Sequence, residues 1–142
     1  MVTLVVHWSH KAGICAVGER MSWQLYDYTA RAYDVELRVV DELHECTIDG
    51  VPLYGSLSDA LSGLSGQVVC LHKDESPEGT PLETFEHPLE AVYVIGPDYA
   101  GYVAPEGALD VSITTPGPEY VELWSHVVAG IVLFDRTAKQ AS

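Results

Sequence analysis

The sequence predicts one α/β domain spanning residues 1–142, with a mostly parallel sheet between helix layers. Three observations carry that prediction. The apolar residues fall in short unbroken runs, such as Val68-Val69-Cys70-Leu71 and Ala91-Val92-Tyr93-Val94-Ile95, instead of alternating with polar ones. Such runs suit strands buried on both faces, which is the situation of parallel strands covered by helices. Segments of helical period and Gly/Pro turns separate the runs. The composition, 47% apolar over 142 residues, supports one sizeable core and excludes wholesale disorder.

In chain order, Val2–Trp8 reads as the first strand and Gly13–Gly18 as a turn or loop. Ser22 is a candidate N-cap for a helix running to about Tyr33, along which Trp23, Tyr26, Ala30 and Tyr33 form one apolar stripe. Leu37–Val40 is the second strand. Asp49-Gly50, inside Ile48–Tyr54, is a turn signal compatible with a small hairpin. Ser56 is placed to cap a helix over Leu57–Leu64, which the Gly63/Gly66 pair would end. Gln67–His72 is a strand, Asp74–Glu83 a polar loop, and Ala91–Ile95 a fully apolar strand. Leu109–Ile113 is a further strand, followed by the breaker Pro116-Gly117-Pro118 and a helical segment from Tyr120 to Arg136.

Charge and cysteine usage narrow the class. Seven Lys/Arg face 21 Asp/Glu, for a net charge of −14. Proteins that grip nucleic acid through phosphates ordinarily present basic stripes, so strong non-specific binding is not expected. The poverty in Lys suits either a high-salt cell, where surface acid maintains solubility, or a protein with no polyanionic partner. Cys15, Cys46 and Cys70 form no CxxC pattern and read as reduced thiols of a cytoplasmic protein. No apolar stretch reaches the ~18 residues of a membrane span, and the first residues read as a strand, not as a leader.

The candidate site lies where strands end. Gly96-Pro97-Asp98-Tyr99-Ala100-Gly101 directly follows a buried strand, so the chain turns sharply at that strand's carboxyl end. It lacks GxGxxG and GK[ST], so neither a dinucleotide fingerprint nor a P-loop is present. His7 and His72 end two other runs, and open α/β sheets bind ligands at such ends. His7 and His10 have a spacing that could ligate a metal, but no Asp/Glu/Cys cluster accompanies them, and no metal is expected. Val121, Leu123, Val127, Ile131 and Phe134 make the closing helix apolar on most of its surface, as for a helix in a core or on a partner chain, with Ser125 available to a ligand.

Three segments together resemble the SPOUT RNA methyltransferases: Ile95-Gly96-Pro97-Asp98, Asp110-Val111-Ser112, and Ser125 through Arg136 in the closing helix. Within that superfamily the sequence is most similar to the archaeal tRNA 2′-O-methyltransferases acting on a T-loop cytidine, to which Thr29-Ala30-Arg31-Ala32-Tyr33 and Val68-Val69-Cys70-Leu71-His72 also correspond. The resemblance covers most of the chain at low identity. Asp110 stands where the superfamily commonly has Asn, His126 where the family has Glu, and Arg20 is the remnant of a richer basic segment.

The resemblance implies a C-terminal trefoil knot, a homodimer, S-adenosylmethionine as cofactor and RNA, in particular tRNA, as substrate. It implies cofactor contacts at Leu71, His72, Ile95, Gly96, Pro97, Ile113, Thr114, Pro116 and Ser125, largely through backbone groups. It makes Arg20 the catalytic candidate. Two other readings stay open: a degenerate SPOUT-like dimer without methyl transfer, and a small structural α/β protein such as a viral assembly component.

Overall fold

The computed structural model describes all residues except 8–15, 43–49, 73–78, 96–103, 114, 119–122, 124 and 142; of residues 16–23 it describes the backbone alone. Seven strands, β1 (Thr3–His7), β2 (Glu36–Val40), β3 (Leu53–Tyr54), β4 (Gln67–His72), β5 (Thr80–Pro81), β6 (Ala91–Ile95) and β7 (Leu109–Ser112), form one sheet of order β3-β2-β1-β6-β4-β7-β5. Every neighbouring pair is parallel. The carboxyl ends of all seven strands therefore lie along one edge.

Three α-helices cover the sheet: α1 (Ala16–Ala32), α2 (Leu57–Leu61) and α3 (Ser125–Gln140). The strand alternation divides the core into two layers. Leu4, Val6, Val69, Leu71, Tyr93, Ile95 and Val111 pack with Tyr26 of α1 and Val128, Ala129, Val132 and Leu133 of α3. Val5, Val40, Val92 and Val94 pack on the opposite face with Ala60, Leu57 and Leu61 of α2. This is why β6 reads as a continuous apolar run: all five of its residues are buried, odd ones on one face and even ones on the other.

Local chemistry sets the helix limits. Ser56 caps α2, its Oγ accepting from the Asp59 amide at 3.1 Å. Gly63, at φ +79°, turns the chain after that helix. Gly66 passes so close to the backbone at Glu90 that a Cβ there would sit 3.1 Å from the carbonyl oxygen.

The structure corrects several boundaries. α1 begins at Ala16, so Ser22 lies inside the helix and does not cap it. Gly18 costs a helix only about 1 kcal/mol relative to Ala and does not end one. β3 runs parallel to β2, so these two strands form no hairpin; Ile48 and Asp49 of the expected turn lie outside the described residues. The stretch read as the loop Asp74–Glu83 contains β5 and the start of a 3-10 helix, Leu82–Thr84, with Leu82 buried. α3 starts at Ser125, not Tyr120, and continues one turn beyond Arg136, supported there by the i,i+4 pair Lys139–Asp135 at 2.9 Å.

Candidate functional site

The sheet brings four of the sequence-predicted residues together, Leu71, His72, Ile95 and Ile113. Leu71 pairs with Ile95 across β4 and β6 and with Val111 across β4 and β7, and His72 pairs with Ser112. β4 ends at His72, β6 at Ile95 and β7 at Ser112, so these four residues stand on the carboxyl edge of three adjacent strands. Leu71, Ile95 and Ile113 are buried, whereas Pro116 is exposed. Their side chains belong to the core, and what they offer at the edge is backbone. β1 adjoins on the other side, Val6 pairing with Ile95, so His7 stands on the same edge. Gly96, Pro97 and Thr114, and the Arg20 side chain, lie outside the described residues.

Ser125 opens α3 and is 3% exposed, on the inward face with Val128, Ala129 and Val132. The far end of α3 is tied to the segment entering β6, through Arg136 to the carbonyls of Pro88 and Leu89. The helix thus runs antiparallel to the strands, and its first turn is directed toward the carboxyl edge. Tyr26 of α1 meets His126 in that turn edge-on, ring centroids 6.1 Å apart.

Among the described residues, the ionisable groups near the edge are His7, Asp41, Glu42, His72 and Asp110. His72 Nε2 lies 2.7 Å from Asp110 Oδ1, both side chains about one-third exposed, at 32% and 34%. The contact is diagonal: His72 pairs with Ser112, and Asp110 is two residues earlier on the same face. His7 Nε2 meets Glu42 Oε1 at 3.2 Å, and Asp41, following β2, is 4% exposed. The sequence singles out both His72 and Asp110 but not their contact, because strand register, not sequence spacing, brings the two together.

A second polar constellation, also unread from sequence, sits at the opposite end of the sheet. His87 Nε2 donates to Asp135 Oδ2 at 2.8 Å, and Nδ1 accepts from the Tyr93 hydroxyl at 2.7 Å. Arg136 Nη1 donates to the same hydroxyl at 3.1 Å and to Pro88 O at 2.6 Å. Burial holds the His87 imidazole below its ordinary pKa, against the pull of the Asp135 carboxylate. Burial likewise raises Tyr93, partly offset by the Arg136 guanidinium. At Asp135 burial works the other way, but hydrogen bonds from His87 and Lys139 overcome it and hold the carboxyl below its ordinary value. With Tyr93 fully buried, this constellation is structural.

Among the described residues no cluster of three or more metal-ligating side chains occurs. No described helix is long and apolar enough to cross a membrane.

A covered parallel sheet with backbone-lined strand ends at one edge defines an α/β ligand-binding class. Comparison with solved structures makes it particular. A structure reported for 2-OH methylation of C/U34 on tRNA superposes with a TM-score of 0.68 at 16% identity, covering 99% of this chain and 96% of that one. A candidate RNA methyltransferase from Bacillus anthracis gives 0.73 at 14% identity, covering 99% and 95%. An AdoMet-bound rRNA methyltransferase from Sinorhizobium meliloti gives 0.65 at 16%, covering 99% of this chain and 57% of that one. The chain has the fold of these RNA methyltransferases, as the resemblance of its sequence implied. No protein-family model and no curated protein sequence matches it.

Proposed function

We infer that the chain is an S-adenosylmethionine-dependent RNA ribose 2′-O-methyltransferase of the SPOUT type, acting in the cytoplasm on RNA, with tRNA the favoured substrate. The observation that carries this reading is the convergence of Leu71, His72, Ile95 and Ile113 on one edge of a sheet shared with RNA methyltransferases.

The residues present fit the cofactor. Buried side chains at Leu71, Ile95 and Ile113 leave main-chain N–H and C=O groups to hold adenine and ribose, and the Asp110 carboxylate suits a cation. Gly96, Pro97, Thr114 and Pro116 complete the contacts in this reading, with Ser125 at the start of α3. A trefoil knot would bring those segments together. When bound, S-adenosylmethionine supplies an electrophilic methyl group on a sulfonium.

The protein's part is to orient the acceptor hydroxyl and to stabilise the charge that develops on its oxygen. Arg20 is assigned to that work. Its guanidinium remains protonated and suits a bidentate phosphate contact. Loss of such a group typically costs on the order of 3 kcal/mol of barrier. Arg20 would act on the cofactor of the partner subunit in a homodimer. An apolar stripe on α3 supports that assembly: Val127, Ile131 and Phe134 recur at i, i+4 and i+7 and are 40%, 37% and 64% exposed.

Calorimetric titration with S-adenosylmethionine and with S-adenosylhomocysteine, at low and at molar salt, tests the reading. Saturable binding is expected, and the absence of heat at millimolar ligand would sink it. Arg20→Ala should abolish methyl transfer to tRNA and leave cofactor affinity nearly intact; if both fall together, Arg20 is structural. The net charge of −14 favours one other reading, a degenerate SPOUT-like dimer without methyl transfer. Methylated RNA product would overturn it.

A further inference from the structure

We propose that Asp110, held by His72, is a charge-selecting residue that makes this site prefer the sulfonium substrate over its uncharged thioether product. The proposal rests on the cofactor reading above and deepens it.

The choice of Asp110 follows from position. The three strands whose ends would hold the cofactor read Gln67-Val68-Val69-Cys70-Leu71-His72, Ala91-Val92-Tyr93-Val94-Ile95 and Leu109-Asp110-Val111-Ser112. Asp110 is the one carboxylate in these sequences. It is neither buried in the core nor free to swing, since His72 Nε2 holds Oδ1 at 2.7 Å. A carboxylate accepts, so the His72 ring keeps its hydrogen on Nε2. Oδ2 has no partner among the described residues, and the side chain is 34% exposed. The carboxylate thus stands against the ring of His72, the residue that ends β4 at the carboxyl edge. Among the described residues, the carboxylate facing that ring is the one of Asp110.

Electrostatics then separates substrate from product. Methyl transfer breaks the bond between the sulfonium sulfur and its methyl carbon; the bond's electron pair stays on sulfur, which becomes neutral. The methyl forms a bond to the acceptor oxygen, whose proton leaves to solvent. The two ligands differ by one methyl group and one positive charge. A fixed carboxylate within several ångströms attracts the first and is indifferent to the second. At an intermediate effective dielectric that preference amounts to about five- to tenfold in affinity. It would help the product leave once the charge is gone.

The test is calorimetric and needs no RNA. Wild type, Asp110→Asn and His72→Gln are each titrated with S-adenosylmethionine and with S-adenosylhomocysteine at low salt. Circular dichroism checks that each variant is folded. Asp110→Asn preserves the shape and a polar contact to His72 while removing the charge. It should weaken S-adenosylmethionine about five- to tenfold and leave S-adenosylhomocysteine within about twofold. His72→Gln retains the carboxylate and a donor to it, and should keep most of the wild-type ratio. An unchanged ratio in Asp110→Asn overturns the proposal while the cofactor reading stands. Equal weakening of both ligands overturns it too, since the pair would then be a structural tie between β4 and β7. If the wild type binds neither ligand, the cofactor reading fails and the proposal falls with it.

Discussion

At the residue scale the clearest physical device is His87. Its two ring nitrogens face groups of opposite character, the Asp135 carboxylate and the Tyr93 hydroxyl, and the neutral Nε2–H tautomer satisfies both. A second proton would place a donor against Tyr93 Oη, which already accepts from Arg136, and would leave the tyrosine's own hydrogen without that acceptor. Burial lowers the folded pKa below the ordinary 6.5, so the unfolded chain takes up a proton first as the pH falls. The stability from this group is full above about pH 6.5 and is lost as the pH drops from there through the folded value. Asp135, also lowered, contributes stability that is full above its ordinary 3.8 and is lost at lower pH, as its folded value is passed. Denaturant unfolding from pH 8 to 5 should therefore show falling stability on the acid side. His87→Gln should flatten that limb at a cost of about 1–2 kcal/mol at neutral pH. An unchanged pH profile in the variant would place the titration elsewhere.

At the scale of elements, α3 decides how the carboxyl edge is closed. One face supplies Val128, Ala129, Val132 and Leu133 to the core, and its last turns are pinned at the amino end of β6. The pin is Arg136, 7% exposed, which donates to two carbonyls and one hydroxyl and lies 6.0 Å from the Tyr93 ring centroid. Lys139 adds contacts to the carbonyls of Leu82 and Phe85. Arg136→Ala would remove the donor to the buried Tyr93 hydroxyl and to the part-buried carbonyls of Pro88 and Leu89. About 3 kcal/mol of stability should be lost in equilibrium unfolding. Arg136→Lys should recover only part of it, because an ammonium cannot span the same fork. Were Arg136→Ala neutral, the docking of α3 would rest on its apolar face alone.

At the scale of the molecule the question is what covers the outer side of α3. Val127, Ile131 and Phe134 are exposed there, and Gly130 beside them has open space where a Cβ would stand. A second copy of the chain is the occupant our reading assigns. Ile131→Asp combined with Phe134→Asp should shift sedimentation from dimer to monomer, because burying carboxylates at such a contact is strongly unfavourable. A wild type that sediments as a monomer at high micromolar concentration would refute the assignment. In the proposed reading, a chain of net charge −14 would meet RNA through a few placed groups such as Arg20, so its non-specific affinity should be weak.

Much of this architecture was legible in the order of the residues, because the signals are local. The unbroken run Ala91–Ile95 announced a strand buried on both faces, Ser56 announced a capped helix, and the strand ends at His72 and Ile95 announced the carboxyl edge that these strands share. The failures came where local and tertiary preferences disagree. Asp49-Gly50 suggested a small hairpin, whereas the following strand β3 runs parallel to β2. Gly18 signalled a loop, yet α1 runs through it. The sequence by itself determined the fold class, the five longer strands and the edge they share, since burial on two faces writes itself into consecutive side chains. Only the tertiary structure decided that His72 meets Asp110 and that His87 meets Asp135. Those contacts join residues 38 and 48 positions apart through strand register and helix docking, which no local pattern encodes.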